Sequence, residues 1–187
     1  DFNTNVSTAT VNTAKTIADA INLNTGTHGA NANAFNTFTS NAMGTFNMTA
    51  TFTINGETVA LASSYSQLVS NINESVSGIN ASLNADNSIT LSNTTGDDII
   101  INGGQTVGFT SASQTFTGFI ELSNLDGSQV TIEAGSVKNG YTGGAGLLSD
   151  VQAIGFNEFS KAGVLETDTV SGTALAANEV KVNDVLI

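Results

Sequence analysis

Two stretches of the chain carry apolar residues at the spacing of one helix face. Their apolar positions follow i, i+3, i+4 and i+7: Ala14, Ile17, Ala18 and Ile21 in the first stretch, and Tyr65, Leu68, Val69 and Ile72 in the second. A polar linker, a glycine and a strand-like segment follow each stretch, at residues 29–35 and 78–83. The pattern therefore predicts a helix–turn–strand unit that occurs twice, with Ile17 and Leu68 buried against strands.

Alternating apolar residues mark a second repeated pattern. Residues 89–101 (ITLSNTTGDDIII) align without gaps on residues 120–132 (IELSNLDGSQVTI), and both match I-x-L-S-N-x-x-G-x-x-[I/V]-x-I. Such alternation around a glycine-containing turn is typical of a β-hairpin with one buried face, so each copy is predicted to be a hairpin. A third hairpin is predicted over residues 51–61, where Asn55-Gly56 lies between strand-forming residues.

The connecting segments are less regular. Residues 103–118 are rich in Gly, Ser and Thr, and we expect a loop or an edge strand there. The glycine-dense residues 140–146 are predicted to be a flexible connector. Apolar positions over residues 147–154 indicate a short helix, and Gly155 stands where a residue ending that helix is expected.

The last ten residues resemble an earlier hairpin. Residues 178–187 are similar to residues 52–59, but they stop where the earlier copy continues into its helix. We therefore expect a repeat that is truncated after its first strand. Because Val180 and Val182 alternate with polar residues, residues 180–183 are expected to add to the edge of a sheet.

Composition narrows the class of function. The 187 residues carry 16 acidic side chains, four lysines and no arginine, for a formal net charge of −12. A nucleic-acid-binding surface needs clustered cations, so nucleic acid is excluded as a partner, and anionic membranes are disfavoured for the same reason. The absence of cysteine excludes disulfides and thiolate chemistry. No apolar run approaches the length that spans a bilayer.

The order of the predicted elements resembles the IN repeat of bacterial flagellins and of related hook-associated and cap proteins. In that repeat a hairpin carries Ile-Asn-Gly, a helix ends in Ile-Asn, and a strand pair follows. Residues 54–56, residues 72–73 and residues 78–101 match these features in order, most closely within residues 50–103. The helix ending at Ile21-Asn22 and the residues from Glu179 to the end are similar to partial copies.

This resemblance implies a structural function. It indicates a secreted, extracellular segment of a flagellar filament subunit (flagellin), one that sets the surface and antigenic properties of the filament. It also implies that neighbouring subunits meet through segments absent from this chain, so that the isolated chain is monomeric, and that exposed Ser or Thr residues are candidates for O-linked glycans.

Two alternative functions remain open. A flagellar cap or hook-associated protein shares the same motif. A carbohydrate-binding or adhesive β-module is the alternative from another class of protein. Against the latter, sugar sites usually present aromatic platforms, whereas the chain has no Trp and only Tyr65 and Tyr141 as tyrosines.

The predicted fold is α+β and β-rich overall, with short antiparallel β-hairpins, each backed by a short helix, in repeated βα units. Residues 1–103 are predicted to hold two repeated helix/strand units of the IN type. Residues 104–177 are assigned to a second hairpin-rich subdomain with one short helix, and residues 178–187 to the start of a truncated further repeat.

No catalytic, cofactor-binding or metal-binding residue is predicted, and the chain is not expected to be an enzyme. His28 is the only histidine and lies in a Thr-Gly-Thr-His-Gly loop, so we expect an exposed loop residue without a catalytic role. No Gly-x-Ser-x-Gly elbow is present, and any catalytic triad would depend on His28.

Three other patterns have non-catalytic interpretations. Asp97-Asp98 and residues 124–128 offer oxygen atoms for Ca²⁺, but they lack EF-hand spacing and are interpreted as solvated turns. Residues 141–146 are rich in glycine but lack the lysine and hydroxyl residue of a phosphate-binding loop. Several matches to N-x-[ST] are expected by chance in a chain so rich in Asn, Ser and Thr; they begin at Asn5, Asn47, Asn73, Asn80 and Asn93.

Overall fold

The computed structural model describes residues 13–134, 147–156, 159–162, 164–167, 170 and 180–186. These residues form a β-rich α+β fold in which every strand pairing is antiparallel, as the sequence predicted. The helices are α1 (Ala14–Asn22), α2 (Thr25–His28), α3 (Tyr65–Ser75) and α4 (Leu148–Ala153), with a 3-10 turn at Gln105–Val107. The strands are β1 (Ala30–Thr39), β2 (Phe52–Ile54), β3 (Glu57–Val59), β4 (Asn80–Leu83), β5 (Ile89–Asn93), β6 (Ile99–Asn102), β7 (Ser113–Phe116), β8 (Phe119–Asn124), β9 (Gln129–Ala134), β10 (Phe159–Ala162), β11 (Val164–Glu166), β12 (Val180–Val182) and β13 (Val185–Leu186).

The chain divides into two compact units, one nested in the sequence of the other. Residues 36–116 form the inserted unit, and residues 1–35 together with 117–187 form the split unit. This division differs from the boundaries that we placed after residues 103 and 177. The difference arises because the break between the units falls within β1. Residues 30–35 of this strand pair with β8, whereas residues 36–39 pair with β5.

The inserted unit contains the hairpin, helix and strands of the closest resemblance. Its helix α3 begins at the N-cap Ser64, whose hydroxyl accepts the Gln67 N–H at 3.2 Å. The unit has two sheets, one in the order β1-β5-β4 and one in the order β3-β2-β6-β7. The helix buries Tyr65, Leu68 and Ile72 in a core that receives apolar side chains from both sheets, so the predicted apolar face of this helix is confirmed for these three residues.

The split unit has the same types of element. Thr13 is the N-cap of helix α1, and its hydroxyl accepts the Thr16 N–H at 3.3 Å. The buried residues of α1 include the whole predicted stripe. The described strands form one sheet in the order β11-β8-β1 and another in the order β10-β9-β12-β13. Helix α4 lies where the sequence predicted it, and Gly155 follows with a φ of 87°.

The two predicted hairpins at residues 89–101 and 120–132 are wrong. Strand β5 pairs with β1 and β4, whereas β6 pairs with β2 and β7, so the two strands lie in different sheets. Strands β8 and β9 are separated in the same way. Alternation of apolar residues marks one buried face on each strand, but it does not determine whether two successive strands share a sheet.

The hairpin at the end of the chain has both of its strands. Strands β12 and β13 pair across a two-residue turn in which Asn183 and Asp184 have φ values of 50° and 62°, which is the conformation of a type I′ hairpin turn. The expectation that the return strand is missing is therefore wrong. The expectation that residues 180–183 join a sheet is confirmed, because β12 pairs with β9 and buries Val180 and Val182.

Among the residues that the structure describes, no helix is both long enough and apolar enough to cross a membrane.

Candidate functional site

His28 is buried, contrary to the expectation of an exposed loop residue. Its side chain is only 5% exposed. The Nδ1 atom accepts the N–H of Ala30 at 3.1 Å, so the proton lies on Nε2, which donates to the Ile21 carbonyl at 3.0 Å. Burial lowers the pKa of His28 below its usual 6.5, and the bond to Ile21 offsets only part of this effect. The neutral ring therefore ties the end of α1 to the start of β1, and both of its nitrogens are engaged.

The asparagine of the Ile-Asn pair at the helix end makes the same hydrogen bonds to the following strand in both units. In the split unit, Asn22 Nδ2 donates to the Ala32 carbonyl at 2.8 Å, and Asn22 Oδ1 accepts the Ala32 N–H at 2.7 Å. In the inserted unit, Asn73 makes the same two bonds to Ala81, at 3.0 and 2.7 Å. Each asparagine thus satisfies both polar backbone groups of one strand residue, which would cost free energy if left unpaired.

The asparagines of the two type I′ turns also match. Asn55 Oδ1 accepts the N–H of Ile100 at 2.7 Å, and the Asn55 N–H donates to the Ile100 carbonyl at 2.8 Å. Asn183 makes the same pair of bonds to Thr131, at 2.9 and 2.8 Å. Ile100 and Thr131 occupy the same position in the repeated 13-residue pattern. In each unit the hairpin turn is therefore hydrogen-bonded to the equivalent strand, β6 in the inserted unit and β9 in the split unit.

A third pair of equivalent contacts comes from a residue with a side-chain hydroxyl in each unit. Ser40 donates its N–H to the Ile89 carbonyl at 2.9 Å and accepts the Ile89 N–H on Oγ at 2.9 Å. Thr167 does the same with Ile120, at 2.9 and 2.8 Å. Ile89 and Ile120 are the first residues of the repeated pattern. We refer to these three pairs of contacts as the backbone clamps.

The backbone clamps and strand pairings show one arrangement built twice. Strand registers agree as well: Leu91 pairs with Phe38 and Ala81 in the inserted unit, and Leu122 pairs with Leu165 and Ala32 in the split unit. The order along the chain differs. The inserted unit runs from hairpin to helix to strands, whereas the split unit begins with its helix and contributes its hairpin last. The two units are thus circularly permuted versions of one unit.

The carboxylates considered for Ca²⁺ lie in turns. In the split unit, hydrogen bonds from the Ser128 hydroxyl and N–H lower the pKa of Asp126, so this carboxylate closes its own turn. In the inserted unit, Thr95 donates to Asp97 at 2.8 Å. Burial, followed by the charge of Asp97, raises the pKa of Asp98. Among the described residues, no group of three His, Cys, Asp or Glu side chains is placed to hold a metal ion.

The split unit has a cleft of about 520 Å³ beside its β8–β9 and β12–β13 turns. Loop residues of β8–β9 and the β12–β13 turn line it together with His28. Asn183 is one of its lining residues, and its Nδ2 donates to the His28 carbonyl at 2.6 Å and to Asn124 Oδ1 at 2.7 Å. Leu125 is 79% exposed. The side-chain amides of Asn183 and Asn124 and the Asp126 carboxylate already form hydrogen bonds within the turns. These hydrogen bonds therefore stabilise the local structure.

Two matches to the N-glycosylation pattern are unsuited to sugar attachment in the folded chain. Asn73 Nδ2 is bonded within its clamp. Asn93 is 7% exposed, and its Nδ2 donates to the Asp97 carbonyl at 2.8 Å. Asn47 and Asn80 are exposed. Asn5 and the glycine-dense residues 140–146 lie outside the described residues.

No protein-family model matches this chain, and no curated protein matches it either.

Proposed function

We propose that the chain is a structural protein, a surface-exposed outer segment of a bacterial flagellin-type filament subunit. The observation that carries the proposal is the shared role of the motif asparagines. The Ile-Asn residues that resemble the flagellin repeat, ending at Asn22 and Asn73, bind the backbone of the following strand in the same way. The motif therefore specifies a repeated structural unit.

Surface chemistry agrees with an exterior position. The net charge of −12 makes separate copies repel each other, which keeps a crowded exterior soluble. Outward-facing Thr and Ser residues on strands, such as Thr58 and Ser82, are accessible for O-linked glycans. Contacts with neighbouring subunits are assigned to segments outside this chain, so the isolated chain is expected to be a monomer.

Immunogold electron microscopy tests this proposal directly. Antibodies raised against the folded chain should label the flagellar filaments of the source cells along their whole length. Labelling confined to the filament tip or to the hook junction would instead assign the chain to a cap or hook-associated protein. Labelling of the cell body without filaments would contradict a flagellar role.

A further inference from the structure

The inserted unit has a cleft of about 440 Å³ whose lining carries no charge. Its walls come from the end of β1, the loop that follows it, the loop before β7, and β7 itself. The lining consists of aromatic, amide, hydroxyl and thioether side chains with one glycine: Phe38, Thr39, Asn41, Met43, Gln105, Gly108, Phe109, Thr110, Ser111, Gln114 and Phe116. Because this lining offers no charged partner, it suits an uncharged ligand better than an ionised one.

Phenylalanine rings form the apolar wall of this cleft. The ring centroids of Phe38 and Phe116 are 3.8 Å apart with an interplanar angle of 32°, and both side chains are half-buried. Phe109 lies behind them, 6.2 Å from Phe38, and is almost fully buried. Because the Phe38 and Phe116 rings stack on each other, their facing sides are covered, and the pair exposes only its outer apolar surface.

Close backbone packing holds Gly108 and Asn41, which also line the cleft. Gly108 has a φ of 95°, and a Cβ atom there would lie 2.6 Å from the Asn41 carbonyl oxygen. The Asn41 N–H donates to the Gly108 carbonyl at 3.0 Å. Only glycine allows both this φ and this approach. These main-chain contacts fix this part of the cleft before a ligand binds, which reduces the entropy lost on binding.

The aromatic pair is not required by the fold. By strand register, Phe38 corresponds to Leu165 of the split unit, and Phe116 corresponds to Lys161. The split unit forms the same strand pairings with these different residues. The pair of phenylalanine rings is therefore a feature of the inserted unit that the shared architecture does not explain.

We propose that this cleft binds a neutral saccharide. The apolar face of a sugar ring would lie against the exposed outer part of the Phe38–Phe116 stack, and its hydroxyl groups would bond to the side-chain amides of Gln105 and Gln114. A partly apolar pocket with a few orienting polar groups is the usual form of a small-molecule site. This inference is independent of the filament proposal, and neither fails with the other.

Nuclear magnetic resonance of the whole ¹⁵N-labelled chain provides the test. Maltotriose, cellotriose and N,N′,N″-triacetylchitotriose would each be titrated to about 20 mM, enough to saturate a site with a dissociation constant of about 1 mM. At least one of them should shift the amide signals of Thr39, Gly108 and Gln114 saturably. The signals of the split unit should stay in place.

Matched variants identify the groups responsible. Phe38→Leu introduces the residue that the split unit has at this register position and should weaken binding by roughly tenfold. Gln114→Ala changes an exposed side chain and should weaken it by roughly threefold to tenfold. The control is Phe35→Leu, which removes another half-buried ring, stacked on Phe119 at 5.4 Å in the split unit, and should leave binding unchanged.

Three results would overturn the proposal. The first is the absence of saturable shifts with all three trisaccharides. The second is a set of shifts that Phe38→Leu and Gln114→Ala leave unchanged. The third is a response only to an extended hexathreonine peptide at the amides of β7, which would assign this edge strand to strand pairing instead.

Discussion

The split unit and the inserted unit use equivalent residues for equivalent contacts, although the chain passes through them in a different order. In the inserted unit the hairpin precedes the helix, and the whole unit is one continuous segment. In the split unit the helix comes first and the hairpin last, with the inserted unit between β1 and β8. The contacts therefore depend on the residues that meet in space and not on their order along the chain.

The units differ in how the hairpin is held. Asn183 makes the same bonds as Asn55, and its amide group also donates to the His28 carbonyl and to Asn124. These added bonds join three segments that are far apart in the sequence. In the split unit these bonds therefore link the hairpin turn to the segments around His28 and Asn124.

The largest effect is expected from truncating the helix cores. Leu68 is fully buried and Ile17 is 4% exposed. Leu68→Ala and Ile17→Ala should each lower the free energy of unfolding of their unit by about 2–5 kcal/mol, because each leaves a cavity under a helix. Denaturant unfolding measures this. Ser70→Ala, on the exposed side of α3, is the control and should change stability by less than about 0.5 kcal/mol. Equally small losses at the buried sites would mean that the helices do not pack on the sheets.

Removal of the helix-end clamps should be the next largest effect. Asn22→Ala and Asn73→Ala each leave the N–H and carbonyl of one strand residue without their partner. Each should cost about 1–3 kcal/mol in unfolding free energy. The exposed Asn80→Ala in β4 serves as the control. If one clamp variant lost stability and the other lost none, the equivalence of the two units at this position would be refuted.

The hairpin turns should separate the two units. Asn183→Ala should cost about 1 kcal/mol more than Asn55→Ala, because it also removes the bonds to His28 and Asn124. Both losses can be measured by denaturant unfolding at the same pH. Equal losses would show that the additional bonds contribute nothing to stability.

The pH effect that begins near neutrality should come from His28, in the split unit. Because burial lowers the pKa of His28 in the folded state, the unfolded chain takes up a proton first as the pH falls below about 6.5. The stability that the neutral ring contributes is therefore present above that pH and is lost as the pH falls towards the folded-state pKa. Unfolding curves should show this loss in the native chain and a smaller one in His28→Gln. The same slope in both would assign the effect to other groups.

Much of the local structure was predictable from periodicity. The stripe of Ile17 and Ile21 is the buried face of α1, and the Asn55-Gly56 pair is the turn of a hairpin. The pairing of strands was not predictable in the same way. Residues 89–101 show two strands with buried alternate residues, and only the three-dimensional partners reveal that the strands belong to different sheets.

The cleft proposed to bind a saccharide and the burial of His28 were harder to predict. Phe38, Phe109 and Phe116 are separated in the sequence by stretches without a common pattern, and strand pairing brings them together. His28 was expected to be exposed because its neighbours are small and polar, yet one turn of helix directs its ring to the backbone of Ile21 and Ala30. Strand pairing between distant segments decided the first outcome, whereas local helix geometry decided the second.

Excision of the inserted unit tests most directly the claim that two versions of one unit are nested. Its two ends already meet, since Asn36 Nδ2 donates to the Phe116 carbonyl at 2.8 Å. Residues 36–116 produced alone should give a dispersed ¹H–¹⁵N spectrum whose core signals, such as Leu68 and Ile101, coincide with those of the whole chain, and should unfold cooperatively. A collapsed spectrum typical of an unfolded chain would contradict the account, because it would mean that the segment depends on the rest of the protein for its fold.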